Sequence, residues 1–68
     1  MNFKQLREAA KLTQEALAEL ADVDQTTVSQ IETGKVRSPQ YSTVAKLAKA
    51  LGTSTDEVAE SIGATEAA

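Results

Sequence analysis

Gln25, Thr26, Ser29, Gln30 and Thr33 are uncharged hydrogen-bonding residues. At about 100° per helical residue their spacing gathers them into one arc of about 140°. Thr27, Val28, Ile31 and Glu32 fill the opposite side, so one face of this segment can anchor in a core while the other displays amides and hydroxyls. A Gln amide bonds adenine through its carbonyl and NH2 together, Ser and Thr hydroxyls donate or accept, and a Thr methyl fits the methyl of thymine. Ordinary solvated faces favour Lys and Glu, which are better helix formers. This face gives up helix propensity for short, directional contacts, and the chemistry it offers is the reading of a patterned polar surface.

Those residues need a mount. Phe3, Leu6, Arg7 and Ala10 recur at helical spacing and predict a first helix that breaks at Lys11-Leu12. Thr13 is placed to cap a second helix over 14–21, with Leu12 and Leu17 as its hydrophobic staple. The start signal recurs at Asp24, flanked by Val23 and Val28, and predicts a third helix over 25–33 that stops at Gly34. Only Ala21-Asp22-Val23 separates the second helix from the third, which forces a tight turn and a steep crossing angle. Residues 35–41, with the only Pro, read as an ordered loop. Val44, Leu47, Ala48 and Leu51 then define a fourth helix ending at Gly52. Ser54-Thr55-Asp56-Glu57 forms a capping box for a fifth, with Val58 and Ile62 as its thin apolar stripe. The expectation is an all-α, compact five-helix fold over 1–62 and a short flexible tail over 63–68.

Composition narrows the function classes. The 68 residues allow one small domain, and with no Cys and no His there is no disulfide, imidazole base or usual transition-metal ligand set. No cofactor and no metal are expected. Glu15 and Glu19 stand i, i+4 on a helix surface, and Asp56, Glu57 and Glu60 suit a first helical turn, so these carboxylates assemble no catalytic site and an enzyme is not expected. No apolar run reaches membrane-spanning or signal-peptide length, which points to the cytoplasm and away from membranes. The net charge of −3 hides an asymmetry: residues 1–52 hold all seven Lys/Arg against six Asp/Glu, while residues 53–68 hold four acids and no base.

The run Thr13-Gln14-Glu15-Ala16-Leu17-Ala18, followed by Val23-Asp24-Gln25-Thr26-Thr27-Val28-Ser29-Gln30-Ile31-Glu32-Thr33-Gly34-Lys35, resembles the helix-turn-helix of the lambdoid phage repressor and Cro (Xre-type) family. The likeness covers residues 1–62 and implies a lambda-repressor-like DNA-binding domain of a phage or bacterial transcription regulator, a repressor working on nucleoid DNA. It implies that Gln25, Thr26, Ser29 and Gln30 read bases in the major groove. It further implies that Gln14, opening the second helix, touches a phosphate, and that Thr27, Thr33, Lys35, Arg37 and Ser38 lie along the backbone. Arg7 and Glu32 take positions that pair in some members, and Arg7 is a further phosphate candidate. The chain departs from the family pattern at Asp22, where Gly is common, at the acidic cap Asp24, and in its scarcity of Lys and Arg.

One recognition helix reads few base pairs, so the resemblance implies a weak homodimer on a palindromic operator. Val58, Ile62, Ala59 and Tyr41 supply either a small apolar patch for a second copy or the closing layer of the monomer core. A second functional reading keeps the fold but makes another protein the main partner, as in an antitoxin or antirepressor, with the acidic 53–68 segment as a docking surface.

Overall fold

The computed structural model describes residues 2–36 and 38–67, with side chains described as far as Gly63. Five helices follow in order: α1 (Phe3–Ala9), α2 (Gln14–Ala21), α3 (Gln25–Glu32), α4 (Tyr41–Leu51) and α5 (Thr55–Ala67). No strand occurs among the described residues.

Three of the helices, α1, α2 and α5, start where a side chain satisfies a free N–H group of the first turn. Thr13 accepts from the Ala16 N–H at 3.0 Å, and Ser54 from the Glu57 N–H at 3.1 Å. The Glu57 carboxylate in turn takes the Thr53 hydroxyl. At α1 the full reciprocal box is present, with Asn2 Oδ1 accepting from the Gln5 N–H at 2.8 Å and Gln5 Oε1 from the Asn2 N–H at 2.9 Å. That Asn-x-x-Gln signal stands in the sequence at Asn2 and Gln5, ahead of the apolar spacing that marks the helix. Asp24 corrects the opposite way: it holds the extended N-cap position of α3, but its carboxylate makes no cap hydrogen bond. Its backbone carbonyl takes the Thr27 and Val28 N–H groups instead.

The first four helices end alike. A left-handed residue, Lys11, Asp22, Gly34 or Gly52, follows each helix. Paired backbone bonds close the turn, for example Leu12 N–H to Arg7 O with Lys11 N–H to Glu8 O, and Val23 N–H to Ala18 O with Asp22 N–H to Glu19 O. This is the Schellman arrangement. It accounts for the short α2–α3 turn closing on Asp22, since Asp tolerates the left-handed region better than most residues. Lys11 has no such excuse at φ 60°. Lys11→Gly is therefore expected to stabilise the fold by about 0.5–1 kcal/mol, the strain relieved less the added chain entropy of glycine. A urea titration checks this, and a loss of stability would mean that the turn carries no strain.

The core gathers Phe3 from α1, Leu17, Ala18 and Ala21 from α2, Val28 and Ile31 from α3, Val44, Leu47 and Ala48 from α4, and Val58 and Ile62 from α5. Small Ala18 and Ala21 let α2 lie close to both α3 and α4. Leu12 and Val23, the outer halves of the two staples, pack on the rim of this core. Val58 and Ile62 are 0% and 4% exposed, so they close the monomer core and offer no patch to a second copy. The stripe was too thin to tell these roles apart in sequence, because only the packing of α5 on α1, α3 and α4 decides it. Among the described residues, Leu20 and Tyr41 are the large apolar side chains left exposed. α5 also continues through Gly63 to Ala67, where the sequence placed a tail, since no Pro follows Ile62 to stop it. Ser61 is buried and donates to the Val58 carbonyl at 2.6 Å. No described helix is long and apolar enough to cross a membrane.

Candidate nucleic-acid interface

The recognition arc is built from inside outward. Val28 and Ile31, both fully buried, pin one side of α3 to the core, and this leaves Gln25 and Thr26 exposed with Ser29 and Gln30 half-buried at the surface. The four residues read from sequence as a base-contacting set thus share one open face of one helix. Thr33 caps the C-terminal end, exposed, with its hydroxyl donating to the Gln30 carbonyl at 3.3 Å.

The loop that follows is drawn back against this end. The Gln30 carbonyl accepts both the Lys35 N–H at 2.9 Å and the Val36 N–H at 3.2 Å, and Val36 packs on the core. Lys35 and Ser38 are exposed just beyond the helix. Arg37, the other cation expected there, lies outside the described residues.

Gln14 and Arg7 meet the site from the other side, through Glu32. Arg7 Nε reaches Glu32 Oε2 at 2.6 Å and its Nη2 reaches Oε1 at 3.3 Å, while Nη1 donates to the Leu12 carbonyl at 2.6 Å. Gln14 Nε2 donates to the same Glu32 Oε1 at 3.1 Å. The pair is nearly closed off, with side-chain exposures of 11% for Arg7 and 6% for Glu32. The hydrogen bond that it donates to Glu32 holds the Arg7 guanidinium above its ordinary pKa, against the opposing effect of burial. The structure therefore spends Arg7 and the Gln14 amide on joining α1, the α1–α2 turn and the start of α2 to the end of α3. The link between Gln14 and Glu32 has no local sequence signal, because the two are 18 positions apart.

Thr27 lines an open groove between α2 and the first turn of α3. Glu15, Glu19, Asp22 and Asp24 line that groove with Gln25 and Thr43. Two carboxylates come from α2 and two from the turn, so the groove's negative potential arises only on folding. A polyanion approaching α3 meets repulsion at this end and Lys35 at the other. No group of three acidic, His or Cys side chains among the described residues is arranged to hold a metal ion.

A sequence model described as helix-turn-helix matches residues 3–58, from the first residue of α1 into α5. No curated protein and no solved structure gives a significant match.

Proposed function

Because the chain belongs to the lambda-repressor-like helix-turn-helix family of DNA-binding regulators, we propose that it is a sequence-specific repressor that places α3 in the major groove of a palindromic operator. The observation that carries this reading is the exposed row Gln25, Thr26, Ser29 and Gln30 on a helix pinned from behind by Val28 and Ile31. In that pose Gln25, Thr26, Ser29 and Gln30 contact base edges. Lys35, Ser38 and Thr33 follow the sugar-phosphate backbone beyond the helix, and Arg37 joins them. Gln14 meets the backbone on the α2 side through its main-chain N–H, its amide being held by Glu32, while Thr27, which lines the acidic groove, stays out of the contact set. The first-turn N–H groups of α2 add a favourable dipole there. Two copies on adjacent half-sites supply the information that one short helix lacks, and repression follows from occupying the operator on nucleoid DNA in the cytoplasm.

With one cation at the described edge of α3 and four carboxylates in the neighbouring groove, phosphate neutralisation is sparse, so affinity rests on base contacts and on the second copy. Selection from a random duplex pool tests the reading. An enriched palindrome is the expected result, and binding with no enriched sequence would remove it. Lys35→Ala is expected to weaken binding to enriched and scrambled duplexes alike and to lower the salt slope by about one. Fluorescence anisotropy across a salt series measures this, and an unchanged slope would take Lys35 off the phosphates.

A further inference from the structure

Among the described residues, two that are not glycine hold a left-handed backbone, Asp22 at φ 58° and Lys11 at φ 60°. Asp tolerates that region through its short polar side chain, and glycines fill the matching positions after α3 and α4. Lysine has no local bond of this kind to offer, so its side chain strains the α1–α2 turn without helping to close it. Strained positions of this sort cluster at functional sites. The turn also fixes where the side chain starts. The Lys11 N–H donates to the Glu8 carbonyl at 2.9 Å, the Leu12 N–H to the Arg7 carbonyl at 3.3 Å, and Arg7 Nη1 to the Leu12 carbonyl at 2.6 Å. On this held backbone the Lys11 side chain is exposed and makes no ion pair among the described residues.

We propose that Lys11 is a phosphate-contacting residue of the DNA interface, its ammonium meeting the phosphate that the Gln14 main-chain N–H receives; this rests on the DNA-binding reading of the chain. Thr13, the cap of α2, stands two positions after Lys11, and Gln14 opens the helix. Three residues span at most about 10 Å, so a phosphate at the Gln14 N–H lies within the sweep of an ammonium on a four-carbon stem. Glu32 joins Arg7 and Gln14, so this turn is tied to the end of α3 and a phosphate bound here keeps a fixed register with the reading row. Lys11 thus adds a second cation to Lys35 on a surface that has few.

Charge and strain are separated by substitution. Lys11→Gln removes the charge and keeps the strained side chain, Lys11→Gly removes both, and Lys46→Gln removes the same charge from the exposed side of α4. In fluorescence anisotropy across a salt series, both Lys11 variants are expected to lower the salt slope by about one on enriched and scrambled duplexes alike. That is a loss of about 15-fold in affinity at about 50 mM salt and about 4-fold at about 200 mM. Lys46→Gln should keep the wild-type slope. In urea Lys11→Gly should be more stable than the wild-type chain, so the better folder is the weaker binder. Circular dichroism confirms that all three variants are folded before they are compared. A wild-type slope in Lys11→Gln, or an equal fall in Lys46→Gln, would take Lys11 off the phosphates and leave DNA reading in place. A wild-type chain that binds no duplex would overturn both.

Discussion

Glu32→Ala is expected to cost about 3–5 kcal/mol of folding stability, because it strands the Arg7 guanidinium in a nearly closed site with the Leu12 carbonyl as its remaining partner. A core of this size supplies about 3–5 kcal/mol in total, so the variant should be largely unfolded at 25 °C in far-ultraviolet circular dichroism. The double variant Arg7→Met/Glu32→Leu removes both charges and should recover most of the loss, as apolar replacements of buried pairs commonly do. A Glu32→Ala loss below about 1 kcal/mol would place the pair in the class of solvated surface bridges.

The pH dependence of this pair has a definite sign on the Arg7 side. The folded state raises the Arg7 pKa through the Glu32 hydrogen bond. Its contribution is therefore fully present below the ordinary arginine range, and it is lost only as pH climbs through the raised folded value. Between neutral pH and mild alkali, stability should be flat with respect to Arg7. The same network has a consequence for DNA binding. Glu32 holds Gln14 and Arg7 together, so the start of α2 and the end of α3 keep a fixed separation, and the phosphate and base contacts proposed for them are set as a unit.

Much of this was legible in the chain because the signals are local. Thr13, Ser54, Gly34 and Gly52 mark helix ends through bonds that span three to five residues, and the apolar periodicity of Val28 and Ile31 fixes which side of α3 faces out. The Arg7–Glu32 pair spans 25 residues and was reached through the family resemblance, since periodicity carries no information on it. Where the determinant was tertiary, sequence reasoning stopped short. Whether Val58 and Ile62 face a core or a second copy depends on α1, α3 and α4 arriving beneath them. The acidic groove combines Glu15 and Glu19 with Asp22 and Asp24, residues whose individual readings as surface acids, a turn and a cap give no hint of a shared potential. Asp24 fits the N-cap preference by type, yet the backbone leaves its carboxylate outside the helix.

Phe3→Ala should rival Glu32→Ala, with a loss of about 3–5 kcal/mol. α1 has seven residues, too few to be stable alone, and Phe3 is its one buried residue. Truncation leaves a cavity and also frees the helix that carries Arg7, so the ion pair to Glu32 loosens with it. Asn2→Ala is the control for local helix strength, because it removes the cap and leaves packing intact, at about 1 kcal/mol. If Phe3→Ala costs no more than Asn2→Ala, α1 is held by its cap and the packing account fails. Operator DNA adds a second readout. A duplex that binds the folded state restores stability by about 2.7 kcal/mol at a hundredfold excess over Kd. Thermal melts of Phe3→Ala should then recover in enriched duplex and much less in scrambled duplex. Equal recovery in both would mean that the fold rescued by DNA does not read its sequence.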